Sequence, residues 1–176
     1  MRLLMLAVLC VTALAPASAN AQPLPLRGQL AGLAFLLGDW SNGRGVVAET
    51  GGTSTGRSSF TAEVDGTVLL RRDHTDLFDK AGKAAGGFDQ MMWIYAEGGT
   101  LHADYADDRH VIHYTSAAVT PDRSVTFTSA AQPGAPQFQL SYVLQSPTTL
   151  DVTFAIKPPA APAWQIIAKG ELTHSR

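Results

Sequence analysis

From Arg57 to Thr173 the chain is a succession of short runs in which apolar and polar residues alternate, each of roughly six to nine residues and each bounded by turn formers. A side-chain period of two puts one face of every run against a core and the other against water, as in half-buried antiparallel strands. No interval between runs is long enough for the helical crossover that parallel strands need. The runs fall near Val46 to Glu49, Arg57 to Val64, Thr67 to Thr75, Phe88 to Ala96, Thr100 to Ala106, Arg109 to Ser116, Arg123 to Ser129, Gln137 to Gln145, Thr149 to Lys157 and Ala163 to Thr173. The pattern predicts an all-β chain of about ten antiparallel strands, preceded by a short helix or loop over Leu30 to Leu37.

Residues that face each other across a hairpin lie on the same side of the sheet, so the correct loop length is the one that unites apolar faces. A three-residue loop at Ser146-Pro147-Thr148 pairs Leu144 with Leu150, Tyr142 with Val152, Leu140 with Phe154 and Phe138 with Ile156. At Asp65-Gly66 a two-residue loop sets Ala62 against Leu69. A three-residue loop with Gly66 left-handed sets Phe60 and Ala62 against Leu70 and Val68, joins the more apolar faces, and is the expected register. A two-residue loop at Asp107-Asp108 places Tyr105 opposite His110, Ala103 opposite Ile112 and Leu101 opposite Tyr114.

An up-and-down meander removes its open edges by closing into a barrel, and about ten strands make a barrel wider than the eight that side chains can fill, so a lumen open at one end is expected. By these registers Arg72 and His74 continue the Phe60 and Ala62 face into the lumen, and His110 continues the Tyr105 face. Tyr142, Met91, Trp93 and Tyr95 complete a mixed aromatic and polar lining. The candidate ligand contacts are therefore Arg72, His74, Tyr105, His110, Tyr142 and Trp93. Arg72 and His74 are placed to anchor a carboxylate or other anion. The apolar run Leu30 to Leu37 ends in Gly38-Asp39-Trp40, where a glycine lets the backbone turn tightly and the indole fold over one end of the core, so Gly38 and Trp40 are read as structural.

Residues 1–19 read as a secretory signal peptide: Arg2, an apolar run from Leu3 to Leu14, Pro16 and the ending Ala17-Ser18-Ala19, with a second small-residue ending at Ala19-Asn20-Ala21. An extended segment over 20–29, with Pro23 and Pro25, leads into one domain over 30–176. The expected location is periplasmic or secreted, with no membrane-spanning segment left after cleavage. Cys10, the sole cysteine, lies in the leader, so the exported chain has neither a disulfide nor a thiolate. Loss of Arg2 from the 13 basic residues leaves 12 against 15 acidic ones, a net of −3 without a basic patch, which argues against nucleic acid as a partner.

No catalytic signature stands out. His102 and Asp104 share an outer face that the same register sets against His113, but no third strong ligand completes a metal site. No serine sits in a G-x-S-x-G turn, and Gly43-Arg44-Gly45 and Gly51-Gly52 precede no helix with a lysine, so they read as mouth or hairpin loops. Asp104, Asp107 and Asp108 sit in or beside a tight turn that favours Asp for local bonding.

Gly38-Asp39-Trp40 at the start of an antiparallel meander resembles the G-x-W signature of the lipocalin and fatty-acid-binding superfamily, the calycins. The wider arrangement continues with Asp65-Gly66-Thr67-Val68-Leu69-Leu70-Arg71, Trp93-Ile94-Tyr95, Ala103-Asp104-Tyr105 and a closing Lys169-Gly170-Glu171-Leu172. It is similar to lipocalin-like domains of exported bacterial proteins from Leu30 to the C-terminus. That resemblance implies a barrel binding a small hydrophobic or amphipathic ligand, with no cofactor and no implied catalysis. Phe35-Leu36-Leu37-Gly38-Asp39-Trp40 is more distantly similar to the opening of nitrobindins, ferric-haem-binding barrels with a ligating histidine near the chain end. That implies haem as the alternative cofactor, with His174 on the apolar face of the last strand as iron ligand, although the glycines after Trp40 stand one place out of step. Three functions stay open: a ligand-binding barrel, a barrel isomerase or haem-dependent peroxynitrite isomerase, and a solid barrel acting as an interaction or structural module.

Overall fold

Ten strands close into one antiparallel barrel in which each strand pairs with its neighbours in sequence and the first pairs with the last, so no edge is left open. The computed structural model describes residues 24–174, and the leader expected over 1–19 lies outside them. The strands are β1 (Gly38–Val47), β2 (Gly52–Glu63), β3 (Val68–Phe78), β4 (Ala84–Glu97), β5 (Thr100–Ala106), β6 (Val111–Thr120), β7 (Ser124–Ser129), β8 (Gln137–Ser146), β9 (Thr149–Lys157) and β10 (Gln165–His174). The first strand starts eight residues earlier than its apolar pattern suggests, at Gly38 rather than Val46. Its middle, Ser41 to Gly45, has no alternation to read, and Gly43 to Gly45 run inside β1 rather than forming a mouth loop.

One end of the barrel is closed. Gly28–Leu36 forms a 3-10 helix, in which residues three apart lie over one another, so Leu30, Leu33 and Leu36 share a face and all three are buried. The Arg27 N–H donates to Gly66 O at 2.9 Å and the Asp122 N–H to Gly32 O at 2.9 Å, tying this helix to the β2–β3 and β6–β7 turns. Trp40 is 1% exposed and its indole Nε1 donates to the Leu36 carbonyl at 2.8 Å, so the expected plug is part of this floor.

The β8–β9 hairpin has the expected pairing, Leu144 with Leu150 through Phe138 with Ile156. The β2–β3 hairpin does not: Ala62 faces Leu69 and Phe60 faces Arg71, the register of the rejected shorter loop. Here the sequence is degenerate, because Leu69-Leu70 and Arg71-Arg72 present the same chemistry to either face. Three consecutive left-handed residues, Val64, Asp65 and Gly66 (φ 48°, 55° and 82°), make the turn instead of Gly66 alone. A Cβ on Gly66 would collide with the Pro25 carbonyl oxygen, which docks the N-terminal segment on this turn.

At the β5–β6 hairpin the faces are as expected but the pairing is shifted by two, with Ala103 opposite Tyr114 and Tyr105 opposite Ile112. The Asp107 carboxylate accepts the backbone N–H groups of Arg109 (2.8 Å) and His110 (2.6 Å), which widens the turn and takes His110 off the strand.

Candidate functional site

The lumen is tightly packed at the floor and less tightly covered at the mouth. Around the floor, the inward residues Phe60, Leu69, Ile94, Val125 and Leu150 are at most 1% exposed. Toward the opposite end, where the β1–β2, β3–β4, β7–β8 and β9–β10 turns lie, the inward residues Val47, Leu77, Phe88, Phe138, Phe154 and Ile156 remain only half-buried. A cavity of about 540 Å³ opens at this rim beside Val47, Leu77, Phe78 and Lys80. Phe138 and Phe154 stack with ring centroids 6.1 Å apart and form an apolar wall on β8 and β9.

The facing wall, on β3, β4 and β5, is polar. Because the β2–β3 register turns Arg71 inward, Arg71, Asp73 and Thr75 line one side in alternation, and Gln90 faces Asp73 from β4. The Arg71 guanidinium donates to the Asp73 carboxylate through Nη2, reaches Gln90 Oε1 at 3.4 Å, and lies 5.7 Å from the Tyr142 ring centroid. Gln90 Nε2 donates to Thr75 Oγ1 at 2.9 Å. The Tyr105 hydroxyl donates to Asp107 Oδ2 at 2.7 Å, with Gln90 Oε1 at 3.2 Å. The side chains of Arg71 and Asp73 are 7% and 6% exposed, which removes both charges from water and leaves each as the other's main compensation. Arg71 Nε, Asp73 Oδ1 and the Tyr142 hydroxyl are buried with no hydrogen-bond partner.

The protonation states follow from these contacts. Burial pushes the Tyr142 phenol up to about 12, with the Arg71 charge opposing, and burial and the Asp107 carboxylate push Tyr105 higher still, so both stay neutral donors. Burial would raise Asp107, but hydrogen bonds from Tyr105 and from the Arg109 and His110 amides outweigh it and hold its carboxyl below the usual range, so it stays ionised.

Of the six residues expected at the lumen, Tyr105 and Tyr142 face it. Arg72 and His74 do not: the register sets both on the outer wall. There they line a depression of about 340 Å³ with Arg57, Ser59, Asp39 and Asp89. His74 Nδ1 lies 2.8 Å from Asp89 and Nε2 3.2 Å from Asp76, and these bonds raise its pKa. Trp93 faces outward with Leu70 and is 38% exposed, and Met91 and Tyr95, on the same face of β4, are likewise outside. His110 is an exposed turn residue beside Asp107.

His174 is on the inner face, as its alternation suggests, but at the closed floor. It pairs with Trp40, packs edge-on against the indole at 4.8 Å, and aims its Nε2 edge at Gly38. That position, away from the open half, does not fit an axial haem ligand. On the outer wall His113 meets Asp104 at 2.5 Å, whereas His102 stacks on Tyr95, so of the three polar residues weighed together two meet and His102 is engaged elsewhere. Among the described residues no three His, Cys, Asp or Glu side chains group where they would hold a metal, and no helix is long and apolar enough to cross a membrane.

Arg71, Asp73, Thr75 and Gln90 were not legible as site residues, because the only signal was the alternation Arg71-x-Asp73-x-Thr75 read in the other register.

No family model and no curated protein matches the chain. Among solved structures the chain is similar to a de novo designed fluorescence-activating β-barrel, at 10% identity and a TM-score of 0.42, with 80% of this chain and 94% of that chain covered.

Proposed function

We propose that this is an exported lipocalin-like barrel that binds one small amphipathic molecule in the open half of its lumen. The apolar part of the ligand lies along Phe138, Phe154, Ile156 and Leu77, and its polar part turns to Thr75, Gln90 and Tyr105. The carrying observation is the contrast between Phe60, Leu69, Ile94, Val125 and Leu150 at the floor, at most 1% exposed, and the inward aromatic residues Phe88, Phe138 and Phe154 at the mouth, which are only partly buried. Covering what each such side chain leaves exposed is worth up to about 1 kcal/mol, and an incoming apolar chain supplies that cover.

Titration of the protein with Nile red, an uncharged apolar dye, tests the reading. Saturable blue-shifted emission at one dye per protein is expected, lost in Phe154→Asp and retained in Arg72→Ala. A folded protein that gives no saturable emission refutes it. Export is tested separately by N-terminal sequencing of secreted material, which should begin at Asn20 or Gln22; an intact Met1 there would overturn that part.

A further inference from the structure

Resting on that reading, we propose that the lumen selects uncharged amphipaths, molecules whose head group both donates and accepts a hydrogen bond, and turns carboxylates away. Inward placement of Arg71 by itself would suggest the opposite, a cation waiting for an anionic head. Its charge is already taken: Asp73 lies two residues along the same strand, on the same face, and holds the guanidinium in a buried pair. The next ionised group on the polar wall is another carboxylate, Asp107, whose side chain is 11% exposed and which Tyr105 and two backbone amides keep ionised. One positive and two negative side chains therefore line this wall. At the rim cavity Lys80 and Asp79 carry opposite charges. A carboxylate laid against this wall, inward of the rim, would give up its hydration and meet no cation there but Arg71, already paired with Asp73, beside an excess of negative charge.

The half-buried groups offer complementary neutral chemistry. The Thr75 hydroxyl accepts from Gln90 and has its own hydrogen to donate, Gln90 Nε2 has a second hydrogen, and the Tyr105 oxygen has lone pairs to accept with. An alcohol or a primary amide satisfies a donor and an acceptor at once.

Displacement of Nile red by 1-dodecanol, dodecanamide and dodecanoate at about pH 8, where the acid is ionised, tests this with one chain length and three heads. The alcohol and the amide should displace the dye at concentrations about ten-fold or more below the acid. Asp73→Asn releases the Arg71 charge and should reverse the order, bringing dodecanoate to or ahead of dodecanol. Should that variant fail to fold, Asp107→Asn at the rim should narrow the acid-to-alcohol ratio in the same direction. Dodecanoate binding as tightly as dodecanol to the parent, or an unchanged ratio in Asp107→Asn, overturns the proposal. Dye binding that none of the three probes displaces also overturns it while leaving the lumen as a binding site, whereas absence of dye binding removes both.

Discussion

Replacing Gly38 by alanine imposes two separable costs. Gly38 has φ of +107°, a backbone conformation that a Cβ disfavours, at about 1 to 3 kcal/mol. A Cβ built there also stands 2.8 Å from His174 Nε2 and 3.1 Å from Cε1, while Trp40 holds the imidazole edge-on at 4.8 Å and limits its retreat. Relieving such overlap by displacing a packed ring costs about 1 to 3 kcal/mol, with the lower half favoured because His174 lies near the chain end. Gly38→Ala should therefore lose about 2 to 5 kcal/mol in urea unfolding followed by tryptophan emission. His174→Ala alone should lose at least about 1 kcal/mol, the worth of its edge contact with the indole. In the double variant the overlap is gone while the backbone cost and the lost edge contact remain, so the loss should fall about 1 to 2 kcal/mol short of the sum of the singles. Additive losses would mean that the ring makes way freely. A Gly38→Ala protein as stable as the parent would refute both halves of the reasoning.

Trp40→Ala removes a ring that is 1% exposed and leaves the Leu36 carbonyl without its donor, and should cost about 3 to 5 kcal/mol; melting like the parent would show that the indole is no plug. Val64 is a β-branched residue at φ 48° and 69% exposed, so Val64→Asn should stabilise by about 1 kcal/mol, and a less stable variant would assign Val64 a contact that outweighs the strain. Hydrogen bonds to Asp89, then Asp76, raise His74 above 6.5, so its contribution is full below about pH 6.5 and is lost as pH rises through the raised folded value. His74→Gln should be less stable than the parent at about pH 6 and equal to it at about pH 9 in urea unfolding, and a gap that persists at the higher pH would assign the effect to something other than protonation.

The number of strands, their antiparallel order and the closed barrel were legible because period-two alternation and short turns leave few alternatives. The β8–β9 register was legible for the same reason: Phe138, Leu140, Tyr142 and Leu144 meet apolar partners in one alignment and polar ones in the next. The β2–β3 register was not. Leu69-Leu70 followed by Arg71-Arg72 reads alike one residue out of step, and the tie is broken by things a local pattern does not contain: Asp73 able to neutralise Arg71 inside, and the N-terminal segment docked on Gly66. Arg72 and His74, assigned to the lumen from that hairpin, moved to the outer wall with it. At Asp107 the error was of another kind, since the side chain made a wider turn by accepting two backbone amides and shifted the pairing without changing which residues face inward.

Division of the lumen into a sealed floor and a half-bared mouth separates stability from binding. Phe60 on the floor is 1% exposed and meets Tyr142 in a T-shaped contact at 5.7 Å, so Phe60→Ala loses the full transfer and cavity cost, about 3 to 5 kcal/mol. Phe154 at the mouth has the same side chain and also stacks on another ring, but it is only partly buried, so its removal gives up less than the full transfer and leaves a hollow nearer to solvent. Phe154→Ala should cost about 2 to 3.5 kcal/mol, less than Phe60→Ala, and its effect on dye binding should be the larger of the two. Paired urea titrations and dye titrations of the two variants check this at one side-chain type. If Phe154→Ala destabilised the protein as much as Phe60→Ala, the mouth wall would be core in all but exposure, and no room would be left there for a guest.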